Sequence, residues 1–345
     1  MKTKKTNPPK KSKMHWNRSR LNHVLDKWKG IRVLVVGDVG IDRYTLGTVE
    51  RISPEAPVPL VHVQSEELKL GLAANVAANV MALGGVPTLI GVIGNDFAGQ
   101  DLKRILRANG MDSGTLVVDS NRRTVLKDRI VTERQQLLRV DHESLNAVRK
   151  SVENQILKKF VELLPDADFV ILQDYAKGLI GEDLCRSLFG AAKKAKKLVA
   201  VDPNVKTPLK FYRGAFLFKP NLKEAEGLTG IRVGDEASLR QVGQEILNRT
   251  KAQYVVITRG KEGMAVFSAN KKGAKYIPTF SREVYDVSGA GDTVISVLSL
   301  ALATGASIDD AAILGNLAAG VEVAKRGTAT VNVDEIMSAM KSFEN

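Results

Sequence analysis

The 345-residue chain has a single cysteine, Cys185, and aromatic side chains make up only 5% of it. One thiol rules out an internal disulfide and a CxxC metal or redox centre, and it suits a reducing cytoplasm. Long hydrophobic runs are absent too. The most apolar stretch, residues 294–303, is ten residues, about half of the roughly 20 that a membrane helix needs, so no membrane partner is expected. The first 30 residues hold no apolar segment ahead of a small-residue cleavage site, and no secretory signal is read. The chain lacks both G-x-G-x-x-G and G-x-x-x-x-G-K-[ST]. The first absence disfavours a dinucleotide fold and the second excludes a Walker-type nucleotide site.

Acid is absent from residues 1–20, which carry eight Lys and Arg. Over the whole chain 51 basic residues face 38 acidic ones, a formal +13; beyond residue 20 the balance is 43 to 38, or +5. The basic character is therefore mostly a tail. Residues 1–30 are expected to be a basic, disordered extension ahead of a folded unit over 31–345. Its alternative reading is an arm for nucleic acid or anionic lipid. No interleaved aromatic platform supports a nucleic-acid partner elsewhere.

What is present is an ordinary folded composition, 44% apolar and 26% charged, which excludes wholesale disorder. Short β-branched runs at 31–36, 88–93, 169–173, 198–202, 215–219 and 254–258 alternate with helical patterns at 73–83, 99–108, 145–164, 182–195 and 237–248. That alternation predicts an α/β fold with a central, mostly parallel sheet flanked by helices on both faces. Residues 60–70, and 115–118 paired with 124–132 through Asp119-Ser120-Asn121, break the rhythm. They predict antiparallel strands standing off the main sheet. Helices follow at 290–303, from Ser307 to about residue 325, and at 333–342, with Ser307 and Asp310 spaced as a capping box.

Four motifs bear on chemistry. Asp286-Val287-Ser288-Gly289-Ala290-Gly291-Asp292 opens an apolar helix. Small residues let backbone N–H groups converge on a ligand, and the helix N-terminus favours an anion such as phosphate. Asp292 beside that anion is placed to act as a general base, or it is a plain helix-stabilising acid. Lys219-Pro220-Asn221-Leu222-Lys223-Glu224 ends a predicted strand, where open α/β sheets bind ligands. Asn221 and Glu224 would suit Mg²⁺ through water, or they form an N-terminal cap. Gly37-Asp38-Val39-Gly40-Ile41-Asp42 puts two acids at the end of the first strand, for polyol hydroxyls or for a turn. Leu70-Gly71-Leu72-Ala73-Ala74-Asn75 opens a helix with small residues, either near a ligand or in close helix packing.

In this order and spacing, the four segments resemble the PfkB or ribokinase-like family of sugar kinases, over roughly residues 31–335. Three further segments resemble the branch acting on D-glycero-β-D-manno-heptose 7-phosphate: Arg51-Ile52-Ser53-Pro54-Glu55-Ala56-Pro57-Val58-Pro59, Gln135-Gln136-Leu137-Leu138-Arg139 and Asp174-Tyr175-Ala176-Lys177-Gly178. The resemblance implies a ribokinase-like fold with a small antiparallel lid, its strands within about 43–70 and 113–140, and a homodimer through that lid. It implies transfer of phosphate from ATP–Mg²⁺ to the anomeric 1-hydroxyl, giving the 1,7-bisphosphate for nucleotide-activated heptose and the lipopolysaccharide core. The chain stops soon after the kinase module, which reads as a kinase without a nucleotidyltransferase half.

Roles follow from the resemblance residue by residue. Asp292 would take the hydroxyl proton, and the amides of Gly289, Ala290 and Gly291 would hold the charge on the phosphoryl group. Asn221, Leu222, Lys223, Glu224, Thr258, Arg259, Gly260 and Asn316 would border the nucleotide, with Asn221 and Glu224 organising Mg²⁺. Asp38, Asp42, Gly71, Asn75 and Asp174 would face the sugar, and Lys127, Arg129 and Lys177 its 7-phosphate. Asp286 and Ser288, with carbonyls near Gly327, would hold K⁺. One position departs: the family's second glycine is Leu72 here. The rival readings are a kinase of the same fold for ribose, fructose or a nucleoside, which lacks the 51–59 segment, and a catalytically silent sugar-binding regulator, which has no reason to keep Asp292, Asn221 and Glu224 together.

Overall fold

The computed structural model describes residues 16–133, 135–280, 284–325 and 327–344. Helix α1 (Arg18–Asp26) leads into β1 (Arg32–Gly37), the long strands β2 (Val39–Ile52) and β3 (Pro59–Leu72), α2 (Ala73–Ala82), β4 (Val86–Ile90), β5 (Val92–Ile93) and α3 (Phe97–Ala108). Next come β6 (Val117–Val118), β7 (Val125–Val131), β8 (Gln136–His142), α4 (Lys150–Leu163), β9 (Phe169–Gln173), α5 (Glu182–Lys194), β10 (Val199–Asp202), β11 (Leu217–Phe218), α6 (Leu222–Thr229) and α7 (Glu236–Thr250). The chain continues through β12 (Tyr254–Thr258), β13 (Met264–Ser268), β14 (Lys275–Ile277), α8 (Ala290–Ala303), α9 (Ile308–Glu322) and α10 (Val333–Glu344).

The main sheet has the order β14-β13-β12-β11-β10-β9-β1-β4. From β12 to β4 every pairing is parallel, and β13 and β14 add antiparallel strands at one edge. Strand β9 is buried along its whole length, and β1 everywhere but its first residue. A strand covered on both faces must be apolar on both, so its sequence runs continuously apolar rather than alternating. The two faces carry separate cores, one built from α1, α2, α3, α8, α9 and α10, the other from α4, α5, α6 and α7. Register places Gly37 beside Gln173, and Gln173 beside Asp202. The polar residues that end these strands are thereby collected along one edge.

A second sheet, β3-β2-β7-β8, stands off the first as a lid. The expected pairing of 115–118 with 124–132 is not made. Strand β6 instead pairs in parallel with β5, and β7 pairs in parallel with β2 from Gly40↔Val125 to Leu46↔Val131. Asp119 accepts the Asn121 N–H at 3.1 Å and the Arg149 guanidinium at 2.7 Å. That turn redirects the chain to a seven-residue partner in place of a two-residue one.

The expected boundary at residue 30 also moves. Residues 1–15 lie outside the described residues, but α1 is folded onto the core. Leu21, Val24, Leu25 and Trp28 are buried, Trp16 packs edge-on to Phe280 at 5.1 Å, and Arg20 pairs with Asp310 at 2.6 Å. The spacing 21, 24, 25 is an apolar helical stripe, extended just past the helix end by Trp28, that the surrounding cations conceal in composition. Trp28 is fully buried, so Trp28→Ala should lower stability by about 3–5 kcal/mol, read by urea unfolding. A loss below about 1 kcal/mol would mean that α1 lies outside the cooperative unit.

Candidate active site

Asp292 sits in the first turn of α8, and only 5% of it is exposed. Its Oδ2 accepts from Asn75 Nδ2 at 2.8 Å. Its Oδ1 accepts from Gln173 Nε2 at 3.2 Å and from the Tyr175 hydroxyl at 2.5 Å. Burial pushes its pKa up to about 6, against the hydrogen bonds from Tyr175 and Asn75, which favour the charged form. The result is a base that is ionised at neutral pH and still worth protonating.

Gly289 opens the helix with φ 101°. A Cβ there would lie 3.0 Å from both Glu322 Oε1 and Thr328 Cγ2, so the position admits glycine for conformation and for space. Ala290 and Gly291 complete the first turn, where free amides point out of the helix. A Cβ on Gly291 would be 3.4 Å from Lys219 Nζ. The Lys219 ammonium therefore flanks the same helix end. It is buried and bonded to Asp202 at 3.0 Å. Burial opposes its charge, but Asp202 and Glu224 together outweigh burial and its pKa is raised.

Asn221 and Glu224 form the N-terminal capping box of α6, with N–H to side-chain oxygen distances of 2.8 and 2.9 Å. Glu224 is pushed up to about 7, by burial first and then by Asp202. A half-buried carboxylate kept that close to neutrality by a neighbouring carboxylate is a fit for a cation. Leu222 packs against the apolar core and Lys223 is exposed, so neither shares the cleft expected of it. A cavity of about 600 Å³ beside α8 is lined by Thr258, Gly260 and Asn316, three of the residues named for the nucleotide, and by Val284, Val287 and Val323. Arg259 departs from its expected place, because it pairs with Glu262 and stacks on Tyr276.

The sugar-side expectations divide. Asp42 pairs with Arg129 at 2.6 Å, both largely buried, against Gly71. Asn75 reaches Asp292. Asp38, pushed up to about 6 by burial, accepts the N–H groups of Tyr175, Lys177 and Leu179 at 3.0–3.3 Å. Its oxygens fasten a loop. Asp174 is likewise committed elsewhere, to the Ala176 N–H and the Thr207 and Tyr212 hydroxyls, each at 2.6 Å. Lys177 pairs with Glu143 at 2.6 Å. Lys127 has no ion pair among the described residues and lies over the Tyr175 ring at 5.5 Å. Its pKa is lowered by burial, and Lys177 and Arg129 push it the same way. Asp42 acts in the opposite direction, as a bound anion would. Asp286 accepts the Ser288 N–H at 2.9 Å.

Sequence reasoning missed Gln173, Tyr175, Asp202 and Lys219. The signal was a polar residue closing, or just following, each apolar strand. Leu72 shows why the usual residue there is glycine: it caps α2 with φ 58° and ψ −137°, a conformation L-residues rarely adopt.

With this geometry in view, comparison with known proteins is decisive. The model of the pfkB family carbohydrate kinases matches residues 31–335. The chain belongs to the pfkB family of carbohydrate kinases. The bifunctional protein HldE of Paramagnetospirillum magneticum is 39% identical over 93% of this chain, and that of Desulfatibacillum aliphaticivorans 43% over 90%. The chain spans 66% and 63% of those two relatives' lengths. Among solved structures, phosphofructokinase-2 from Escherichia coli in complex with potassium superposes with TM-score 0.76 at 20% identity, covering 92% of this chain and all of that one. Ribokinase from Arabidopsis thaliana, complexed with ribose and ATP, gives 0.71 at 19%, covering 90% and 99%. These structures share the ribokinase-like fold, with its mostly parallel sheet and lid. No helix among the described residues is long and apolar enough to cross a membrane.

For this family member, Leu72→Gly has two opposed effects. It relieves backbone strain of about 1–3 kcal/mol and deletes a buried side chain worth about 2–5 kcal/mol. The expected net loss is about 1–2 kcal/mol by urea unfolding, with sugar KM changed far more than ATP KM. A loss of 4 kcal/mol or more, with sugar KM unchanged, would make Leu72 a packing residue only.

Proposed function

We propose that the protein transfers phosphate from ATP to the anomeric 1-hydroxyl of D-glycero-β-D-manno-heptose 7-phosphate. The observation that carries this reading is the pairing of a buried carboxylate at a helix N-terminus with a half-buried lysine on the lid that has no ion-pair partner among the described residues. Asp292 draws the proton from the sugar hydroxyl, whose oxygen attacks the γ-phosphorus as ADP leaves. Charge on the transferred group meets the amides of Gly289, Ala290 and Gly291 and the Lys219 ammonium. The 7-phosphate sits against Lys127, with Lys177 and Arg129 behind it. The adenine side of ATP takes the cavity between Thr258, Asn316 and Val323.

Mg²⁺ would be held through Asn221 and Glu224, and when bound it would neutralise phosphate charge. K⁺ would be held at Asp286 and Ser288. Support for a cation there comes from Glu322, fully buried behind the same loop with neither carboxylate oxygen hydrogen-bonded and pushed up to about 8 by burial and by Asp286 and Asp292. The lid exposes Ile52, Val63 and Leu138, which suits a homodimer built through it. ATP use and a buried, unpaired Cys185 suit the cytoplasm.

Asp292→Asn keeps the size of the side chain and removes the proton acceptor. Turnover should fall by about 10²–10⁴ with ATP affinity little changed; near-native turnover would assign the proton to another group. Because the base must be ionised, wild-type kcat/KM should be full above its pKa and decline as pH falls through about 6. Lys127→Met should raise KM for heptose 7-phosphate by tenfold or more, about 1.4 kcal/mol, and leave KM for ATP in place. Equal KM for the sugar phosphate in both proteins would move the phosphate site elsewhere.

A further inference from the structure

Asp292 accepts three hydrogen bonds from the protein itself, two on Oδ1 and one on Oδ2, so a sugar hydroxyl that reaches Oδ1 has to displace a donor. Three donors converge on its two oxygens: Asn75, Gln173 and Tyr175. Asn75 lies in the first turn of α2 and Gln173 ends β9, and they are 3% and 1% exposed. Both are fixed by regular structure. Tyr175 differs. It belongs to the loop after β9, it is partly exposed, and the loop is held to Asp38 through backbone N–H groups and not through the Tyr175 side chain.

We propose that Tyr175 is a positioning residue whose hydroxyl holds the place of the sugar's reacting hydroxyl on Asp292 and gives it up when the sugar phosphate binds. The Tyr175 hydroxyl donates one proton to Oδ1, as the anomeric hydroxyl must do before it is deprotonated. Its ring is also the surface on which Lys127 rests, at 5.5 Å. A phosphate that draws Lys127 to itself removes the cation from that ring face, so the group that binds the far end of the substrate also loosens the place-holder at the near end. Until then the bond from Tyr175 keeps the base ionised in an enclosed site. The other charged or titratable groups that act on Asp292 are Asp202 and Lys219 at the strand ends and Glu322 on α9, and a change at Tyr175 leaves all three in place.

The proposal rests on the kinase reading above, and its test has one arm that does not. Tyr175→Phe keeps the ring and removes the donor. In sugar-free protein carrying ¹³C-labelled aspartate, the carboxyl titration of Asp292 should move up by about one pH unit in the variant. An unchanged midpoint overturns the proposal. With ATP and heptose 7-phosphate, the acid limb of kcat/KM, which reports the free enzyme, should move up as well, while that of kcat, which reports the complex, stays. Equal movement of both limbs also overturns it, since the hydroxyl would then remain on the base through turnover. No turnover of heptose 7-phosphate by the wild type would sink the substrate reading, while the carboxyl titration would still decide whether Tyr175 holds the base.

Discussion

The Lys219–Asp202 pair is the constraint around which the site is arranged. Both are buried at the carboxyl edge of the sheet, one on the turn after β11 and the other ending β10. Taking two charges out of water is costly, and losing either partner strands the other at about 3–5 kcal/mol. The pair persists because the parallel register sets the two strand ends side by side and because Gln173 bridges Asp202 to Asp292. A positive charge is thus fixed beside the N-terminus of α8.

The lid brings further charged side chains to the same edge. Its strand β7 brings Lys127 and Arg129 over the sheet edge, while Arg129 is neutralised by Asp42 on the paired strand β2. Of these two, Lys127 has no ion pair among the described residues. Asp38 ties the 175–179 loop beneath it, so an acid at the end of β1 contributes by holding Tyr175 and Lys177 in place. Leu72 joins lid to helix in a conformation that L-residues rarely adopt, three residues ahead of the Asn75 that meets Asp292.

Much of the fold was legible. Continuous β-branched runs located β9 and β12 residue for residue, because a doubly covered strand has to be apolar throughout. The helix over 145–164 starts instead at Lys150, since the Val148 N–H bonds Gly178 O and holds the preceding residues to that loop. α1 was hidden because composition averages over a stripe of four residues. The lid pairing was misread because a turn signal says that the chain reverses, and not which strand receives it. At the site, Asp292 and the glycines were legible through their local motif, whereas Tyr175 and Lys219 lie inside quoted segments without a role assigned to them, and Gln173 lies in no motif.

By itself, then, the sequence determined what depends on neighbours along the chain: the strand–helix alternation, the glycine-rich helix start with its acid, the capping box at Asn221, the Ser307 cap, whose Asp310 bonds the Ser307 hydroxyl and not its backbone N–H, and membership in a kinase family. The tertiary structure alone decided what depends on neighbours in space. It assigned Asp38 and Asp174 to loop anchoring, paired Arg129 with Asp42, left Lys127 unpaired and put a tyrosine hydroxyl on the base. Hydrogen bonds and ion pairs form between groups brought within about 3 Å, and residues 117 and 217 positions apart, as Tyr175 and Asn75 are from Asp292, come that close only when the sheet register and the lid have been set.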